Sequence, residues 1–200
     1  MPDSEDTSGA GYTARLETLE SAGWKRLLDV QAPYRWNLRR LLGGRRVLDV
    51  GCGIGRNLRS LAPGSVGVDH NTASVDVCRA RGLRAFPTSE FWASPEAVPD
   101  YDGLLAAHLV EHLGRDDARE VLAPYLELLR PGARVVLICP QERGYRSDAT
   151  HVRFHDHAEL AELCHDLGLE VARQLSFPFP RVAGRLFTYN EFVTVALRSA

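Results

Sequence analysis

The chain has 200 residues, 44% of them hydrophobic and 25% charged, with a formal net charge of −2 and a pI near 6.4. That is enough apolar content for one compact domain, and the balance of charge excludes a general attraction to nucleic acid or an anionic membrane. Cys52, Cys78, Cys139 and Cys164 are scattered without a C-x-x-C pair, so reduced, buried thiols in a cytoplasmic protein are expected.

Residues 1–11, "MPDSEDTSGAG", are acidic and polar; they read as a disordered tail and do not resemble a signal peptide. No apolar run approaches the length of a membrane span. From Tyr12 to Leu42 apolar residues recur at helical spacing (Leu16, Leu19, Trp24, Leu27, Leu28, then Trp36, Leu38, Leu41). Pro33 divides this stretch into two helices, and Gly43–Gly44 ends the second. Residues 12–44 are therefore an N-terminal helical cap, and residues 45–200 form the main domain. The basic residues Arg39, Arg40, Arg45 and Arg46 read as solvated surface.

The pattern then alternates. Short apolar runs, "RVLDV", "SVGVD", "DGLLAA" and "ARVVLIC", are separated by helical stretches at Asn57–Leu61, Ala73–Arg81 and Arg115–Leu129. Strands that are apolar throughout and alternate with helices predict a parallel sheet covered on both faces. A helix over Asp156–Leu167 follows, then "LEVARQLSF" and "NEFVTVALR" with only a loop between them. Those two strands are expected to pair antiparallel at the sheet edge.

The first strand runs into Gly51-Cys52-Gly53-Ile54-Gly55, a G-x-G-x-G loop opening a helix, where glycine permits positive φ and close approach of a ligand. A dinucleotide fingerprint would read G-x-G-x-x-G and place a pyrophosphate on the helix N-terminus. Asp49, immediately before the loop, would repel a pyrophosphate and suits a ligand bearing ammonium and sulfonium charge. Asp69, ending the next strand, is placed to accept hydrogen bonds from both hydroxyls of a ribose.

With "VLDVGCGIG", "VGVD", "DGLLAAHLVEHL", "LLRPGARVVLICP" and "THVRFHDHAELAELCHDLGLE", the chain from about Val47 to Leu197 resembles the class I, Rossmann-like S-adenosylmethionine-dependent methyltransferases of the small methyltransferase-domain type. The resemblance implies an α/β domain with a mostly parallel seven-stranded sheet, an antiparallel last strand and helices on both faces. It assigns Asp49, Gly51, Cys52, Gly53 and Gly55 to the methionine portion of the cofactor, Asp69 to the ribose, and His70 to the flank of the adenine. Thr88 and Ser89 stand where the family often carries an acidic residue for the adenine amino group, and Ala107, closing the fourth strand, joins the cofactor set.

Methyl transfer from a sulfonium needs alignment and exclusion of water, and a base only when the nucleophile holds its proton. His108, Glu111 and His112 fall at i, i+3 and i+4, one face of a helix if the helix has begun by His108. His151 of "THVRFHD" is the leading candidate for a base or substrate contact, with His155 second. His108 and His112 complete the catalytic candidates. A metal-free site is expected; a divalent metal on His108, Glu111 and His112, with a fourth ligand from His151, His155 or His157, is the alternative. Phe177, Phe179, Phe187 and Tyr189 would cover an apolar or planar acceptor or pack the sheet edge, with Arg181 or Arg185 meeting an anionic group.

The function expected from this set is O- or N-methylation of a small molecule by a monomer or homodimer. The alternatives are an RNA-modifying or metal-dependent methyltransferase and a non-catalytic cofactor-binding scaffold subunit. A nucleic-acid partner is disfavoured by the acidic pI.

Overall fold

The computed structural model describes residue 11 and residues 31–199. Residues 1–10 of the expected tail, and residues 12–30 with the first N-terminal helix expected there, fall outside these residues. Helix α1 (Ala32–Leu42) opens with Pro33 in its first turn, where a missing N–H costs nothing. It ends at Gly43, whose N–H bonds the Arg39 carbonyl 2.8 Å away.

Seven strands follow in the order β3-β2-β1-β4-β5-β7-β6. They are β1 (Val47–Val50), β2 (Val66–Asp69), β3 (Ala85–Pro87), β4 (Tyr101–Ala107), β5 (Leu129–Pro140), β6 (Leu169–Phe177) and β7 (Glu191–Arg198). The first five run parallel, and β7 lies antiparallel between β5 and β6. This is the predicted arrangement, and it puts the carboxyl ends of β1, β2 and β4 side by side at the position where ligands enter such sheets.

Leu38, Leu41 and Leu42 of α1 pack on one sheet face against Val47, Leu105, Val136 and Val193. On the opposite face lie α4 (Arg115–Leu126), through Ala118, Leu122 and Tyr125, and α6 (His157–Asp166), through Leu160, Leu163 and Cys164. Asp156 caps α6 by accepting from the amides of Ala158 and Glu159, at 2.9 and 3.0 Å. Helix α2 (Thr72–Ala80) is capped in the same way by Asn71 and closes a third cluster of Cys52, Leu58, Val75, Cys78 and Ala85.

Three expectations need correction. The helix expected at Asn57–Leu61 is a single 3-10 turn, Leu58–Ser60, because Pro63 and the left-handed Gly64 follow too soon for a full turn to propagate. The helix expected through Leu129 stops at Leu126, two residues after the interior Pro124, which lacks a backbone donor. Leu129 instead begins β5 and pairs with Tyr101. The third correction concerns His108 and belongs to the site.

Candidate active site

The glycine loop turns as its spacing predicts: Gly51, Gly53 and Gly55 all have positive φ, at 74°, 51° and 79°. A Cβ on Gly51 would meet the Leu109 side chain at 2.9 Å, and one on Gly55 would meet Leu83 at 2.4 Å and Cys78 at 2.9 Å. The loop is tied down by the amides of Gly51 and Cys52, which donate to the Val68 carbonyl at 2.8 and 3.2 Å.

Two carboxylates flank it. Asp69 accepts from the Gly53 amide at 2.7 Å and from the Asn71 amide at 2.9 Å, which fixes its plane at the end of β2. Asp49 is 1% exposed, and its Oδ2 has no hydrogen-bond partner. Burial first, and the charge of Asp69 second, push the Asp49 carboxyl up to about 8. An orphaned carboxylate oxygen behind a glycine loop suits a ligand that brings its own positive charge.

The remaining cofactor candidates lie at or just after the carboxyl ends of β2, β3 and β4. His70 is exposed, with Nδ1 3.6 Å from Asp69. The Thr88 hydroxyl is hydrogen-bonded to the Tyr125 phenol, and Ser89 is exposed in the short helix α3 (Thr88–Phe91). Ala107 ends β4 and is buried.

Beyond β4 the chain departs from the expected helix. His108 has φ 57°, left-handed for a non-glycine residue, and the next helical turn, Val110–His112, is 3-10. The His108 amide still bonds the Ile138 carbonyl, so the sheet ladder extends to it before the chain turns. His108, Glu111 and His112 therefore do not share a helix face. His108 points between two carboxylates, with Nδ1 3.1 Å from Glu111 and Nε2 3.0 Å from Glu191 at the start of β7. Burial opposes its charge, but these two hydrogen bonds outweigh burial and raise it to about 10, so the ring is an imidazolium. Burial would likewise raise the Glu111 carboxyl; the bond to His108 reverses that and lowers it. No sequence signal points to Glu191, which lies 83 positions beyond its partner.

His151 arrives beside Glu111 and His112. The His112 and His151 rings lie 4.9 Å apart, and His151 stacks on Tyr145 of helix α5 (Glu142–Tyr145). His112 Nδ1 is 3.2 Å from the Thr150 carbonyl and His151 Nδ1 is 2.7 Å from the Tyr145 carbonyl. A carbonyl only accepts, so each Nδ1 carries a proton, and in the neutral ring the lone pair is then on Nε2. Burial lowers the His112 pKa, which favours that neutral form. Atoms of Glu111, His112 and His151 lie within 4.8 Å of one another, and Glu111 Oε2 is buried without a partner.

His155 and His157 are not part of this group. His155 is 2% exposed with neither ring nitrogen bonded, and His157 packs edge-on to Phe192. Arg181 is also taken: it grips Glu142 at 2.8 and 2.5 Å, and so cannot serve as the free anion-binding group. Of the four aromatics, Phe177 is buried and packs on Tyr34, while Phe179, Phe187 and Tyr189 remain exposed. Tyr34, absent from the sequence candidates, donates its hydroxyl to the Tyr189 carbonyl at 2.6 Å and ties α1 to that loop.

The family model described as "Methyltransferase domain" matches residues 24–174. The chain belongs to that methyltransferase family. A ubiquinone biosynthesis O-methyltransferase of Marinobacter nauticus is 30% identical over 142 residues, covering 61% of this chain and 58% of that protein. An O-methyltransferase of Pyrenophora dematioidea is 28% identical over 130 residues, covering 60% and 46%. The chain spans about half the length of the curated relatives it matches. Among solved structures, the Synechocystis magnesium protoporphyrin IX methyltransferase with bound S-adenosylmethionine superimposes with a TM-score of 0.60 at 17% identity, covering 96% of this chain and 93% of that one. The Burkholderia thailandensis 1,6-didemethyltoxoflavin-N1-methyltransferase, with S-adenosylhomocysteine bound, gives 0.58 at 22%, covering 95% and 89%. At such identities the agreement is one of fold. Asp49, the glycine loop and Asp69 fit the methyltransferase cofactor: a buried carboxylate without a partner for its cationic end, and an anchored carboxylate for its ribose.

Proposed function

We propose that the chain is an S-adenosylmethionine-dependent methyltransferase acting on a hydroxyl of a small molecule. The observation that carries this reading is the unpaired, buried Oδ2 of Asp49 behind the glycine loop, with Asp69 held by the Gly53 amide alongside. Choice of an oxygen acceptor rests on the O-methyltransferase relatives.

The cofactor supplies an electrophilic methyl group on a sulfonium. Asp49 neutralises the cofactor's cationic end, Asp69 holds the ribose hydroxyls, and the glycines admit the ligand without a Cβ. His151, or His112 beside it, takes the acceptor proton at Nε2; its Nδ1–H, fixed on a backbone carbonyl, sets the tautomer. Glu111, kept ionised by His108, stabilises the imidazolium that forms. Calorimetric titration with S-adenosylmethionine and S-adenosylhomocysteine tests the cofactor half, with Asp69→Ala expected to abolish binding. Absence of binding by folded wild type would reject it. His151→Ala is expected to lose turnover and keep cofactor affinity, and unchanged turnover would remove His151 from the mechanism.

A second reading is supported by the approach of Glu111, His112 and His151. Two imidazoles and a carboxylate with an unpaired oxygen suit a divalent metal of the zinc class, which would lower the pKa of an acceptor hydroxyl bound to it. The ligand set differs from the one expected from the sequence, since His108 is engaged by Glu191 and His151 takes its place. Zinc titration and elemental analysis of untagged protein test it; no stoichiometric ion would dismiss it.

A further inference from the structure

Cys52 and Cys78 meet inside the cofactor loop although 25 residues separate Cys78 from Gly53, the residue they share. The Cys78 thiol donates to the Gly53 carbonyl at 3.2 Å, and the Cys52 thiol approaches the same oxygen at 3.7 Å. Both side chains also belong to one buried cluster, with Leu58, Val75 and Ala85. On its other side Gly53 donates its amide to Asp69. One residue, in left-handed backbone, thus links the thiol pair at its carbonyl to the carboxylate assigned to the ribose at its amide.

We propose that this pair is an oxidation site: peroxide converts Cys52 and Cys78 to a disulfide, and the crosslink weakens cofactor binding. Cys52 is the first to react, because it is 7% exposed and Cys78 is fully buried. Its sulfur attacks peroxide, giving Cys52 sulfenic acid and one water. The Cys78 sulfur then displaces the sulfenic oxygen, forming the S–S bond and releasing a second water. The two sulfurs are oxidised and the peroxide is reduced. Neither sulfur then carries a proton, so the Gly53 carbonyl loses both thiol donors, and the loop is bonded to α2 instead of resting on it. The contact with Cys78 and burial both raise the Cys52 thiol above its usual range. The first step is therefore slow, on the order of minutes to hours, and the device is a lock engaged by sustained oxidation. Cofactor lying over the loop would close the access of Cys52 and protect the pair.

The effect on binding rests on the cofactor reading, and the test separates the two. Full-length reduced protein is treated with hydrogen peroxide, with and without S-adenosylhomocysteine, then mapped by non-reducing peptide mass spectrometry and titrated calorimetrically. Expected are a Cys52–Cys78 peptide in the ligand-free sample and its suppression by ligand. Affinity for S-adenosylhomocysteine should weaken at least about tenfold and return with dithiothreitol, about 1.4 kcal/mol. Cys78→Ser, or Cys78→Ala if the serine variant does not fold, should form no crosslink and leave a Cys52 sulfenic acid that dimedone traps. Cys139 and Cys164, in a different core cluster, are internal controls. The proposal is overturned by thiol loss without that peptide, by no reaction of the folded ligand-free protein, or by crosslinked protein that binds as tightly as reduced. Reduced protein that binds no ligand defeats the cofactor reading and the proposed effect on binding together, while the peptide map still decides whether the thiols join.

Discussion

Replacing Asp49 by asparagine should make the free protein more stable and the cofactor site worse, and both effects should depend on pH. Asp49 is buried, unpaired on Oδ2 and raised to about 8, from 3.8 for an ordinary aspartate. Between those values the folded protein binds a proton that the unfolded chain does not. Stability is therefore full below about pH 4 and is lost as pH rises through 8, at about 1.4 kcal/mol per unit. At pH 7 the accumulated cost is at most about 4 kcal/mol, so Asp49→Asn should raise the melting temperature of the ligand-free protein by up to roughly 10 °C. A cationic cofactor needs the ionised form. If binding requires it, affinity falls about 50-fold from pH 8 to pH 6 in the wild type, from about half ionised to about one part in a hundred. In Asp49→Asn the affinity should be lower and that slope absent. Any titration of the cofactor's own amine remains in both proteins and cancels in the comparison. Differential scanning fluorimetry and calorimetry across pH 6 to 8.5 read both effects. Equal slopes in the two proteins, or a less stable variant at pH 8, would mean that Asp49 holds no costly buried proton and does not meet the cofactor's charge.

Three further outcomes are expected. His108→Ala strands Glu111 as a buried, unpaired charge and should cost about 3–5 kcal/mol in denaturant unfolding, whereas His108→Asn tolerates the left-handed backbone and should cost less. Gly55→Ala forces a Cβ against Leu83 and Cys78 at φ 79° and should both destabilise the fold by more than about 1 kcal/mol and abolish cofactor binding, read by melting and calorimetry. Burial lowers the pKa of His155, so the folded state binds fewer protons than the unfolded chain. Stability should decline as pH falls below about 6.5, and His155→Leu should flatten that decline in melting curves from pH 7.5 to 5.5.

Sequence alone determined what is local. Asp49, the glycine loop and Asp69 lie on two consecutive strands that pair in parallel, Asp49 opposite Gly67 and Val50 opposite Val68, so their order along the chain is nearly their order in space. The alternation of apolar runs and helices fixed the class of sheet, and the absence of an α-helix between the last two strands fixed their antiparallel pairing. Tertiary structure decided what depends on distant partners or on a single backbone angle. The helical spacing of His108, Glu111 and His112 is misleading because the chain stays in the ladder through His108 and then turns left-handed, which delivers His108 to Glu191. Glu111, His112 and His151 converge only because the segment before α6 folds back, with the amides of Val152 and Arg153 donating to the Glu111 carbonyl at 2.8 and 3.1 Å. The pairing of Cys52 with Cys78 likewise has no sequence signature, since it depends on how α2 seats against the loop. Backbone hydrogen-bonding and apolar periodicity are written along the chain; which side chains meet at the carboxyl edge of the sheet is set by the packing of elements far apart in it.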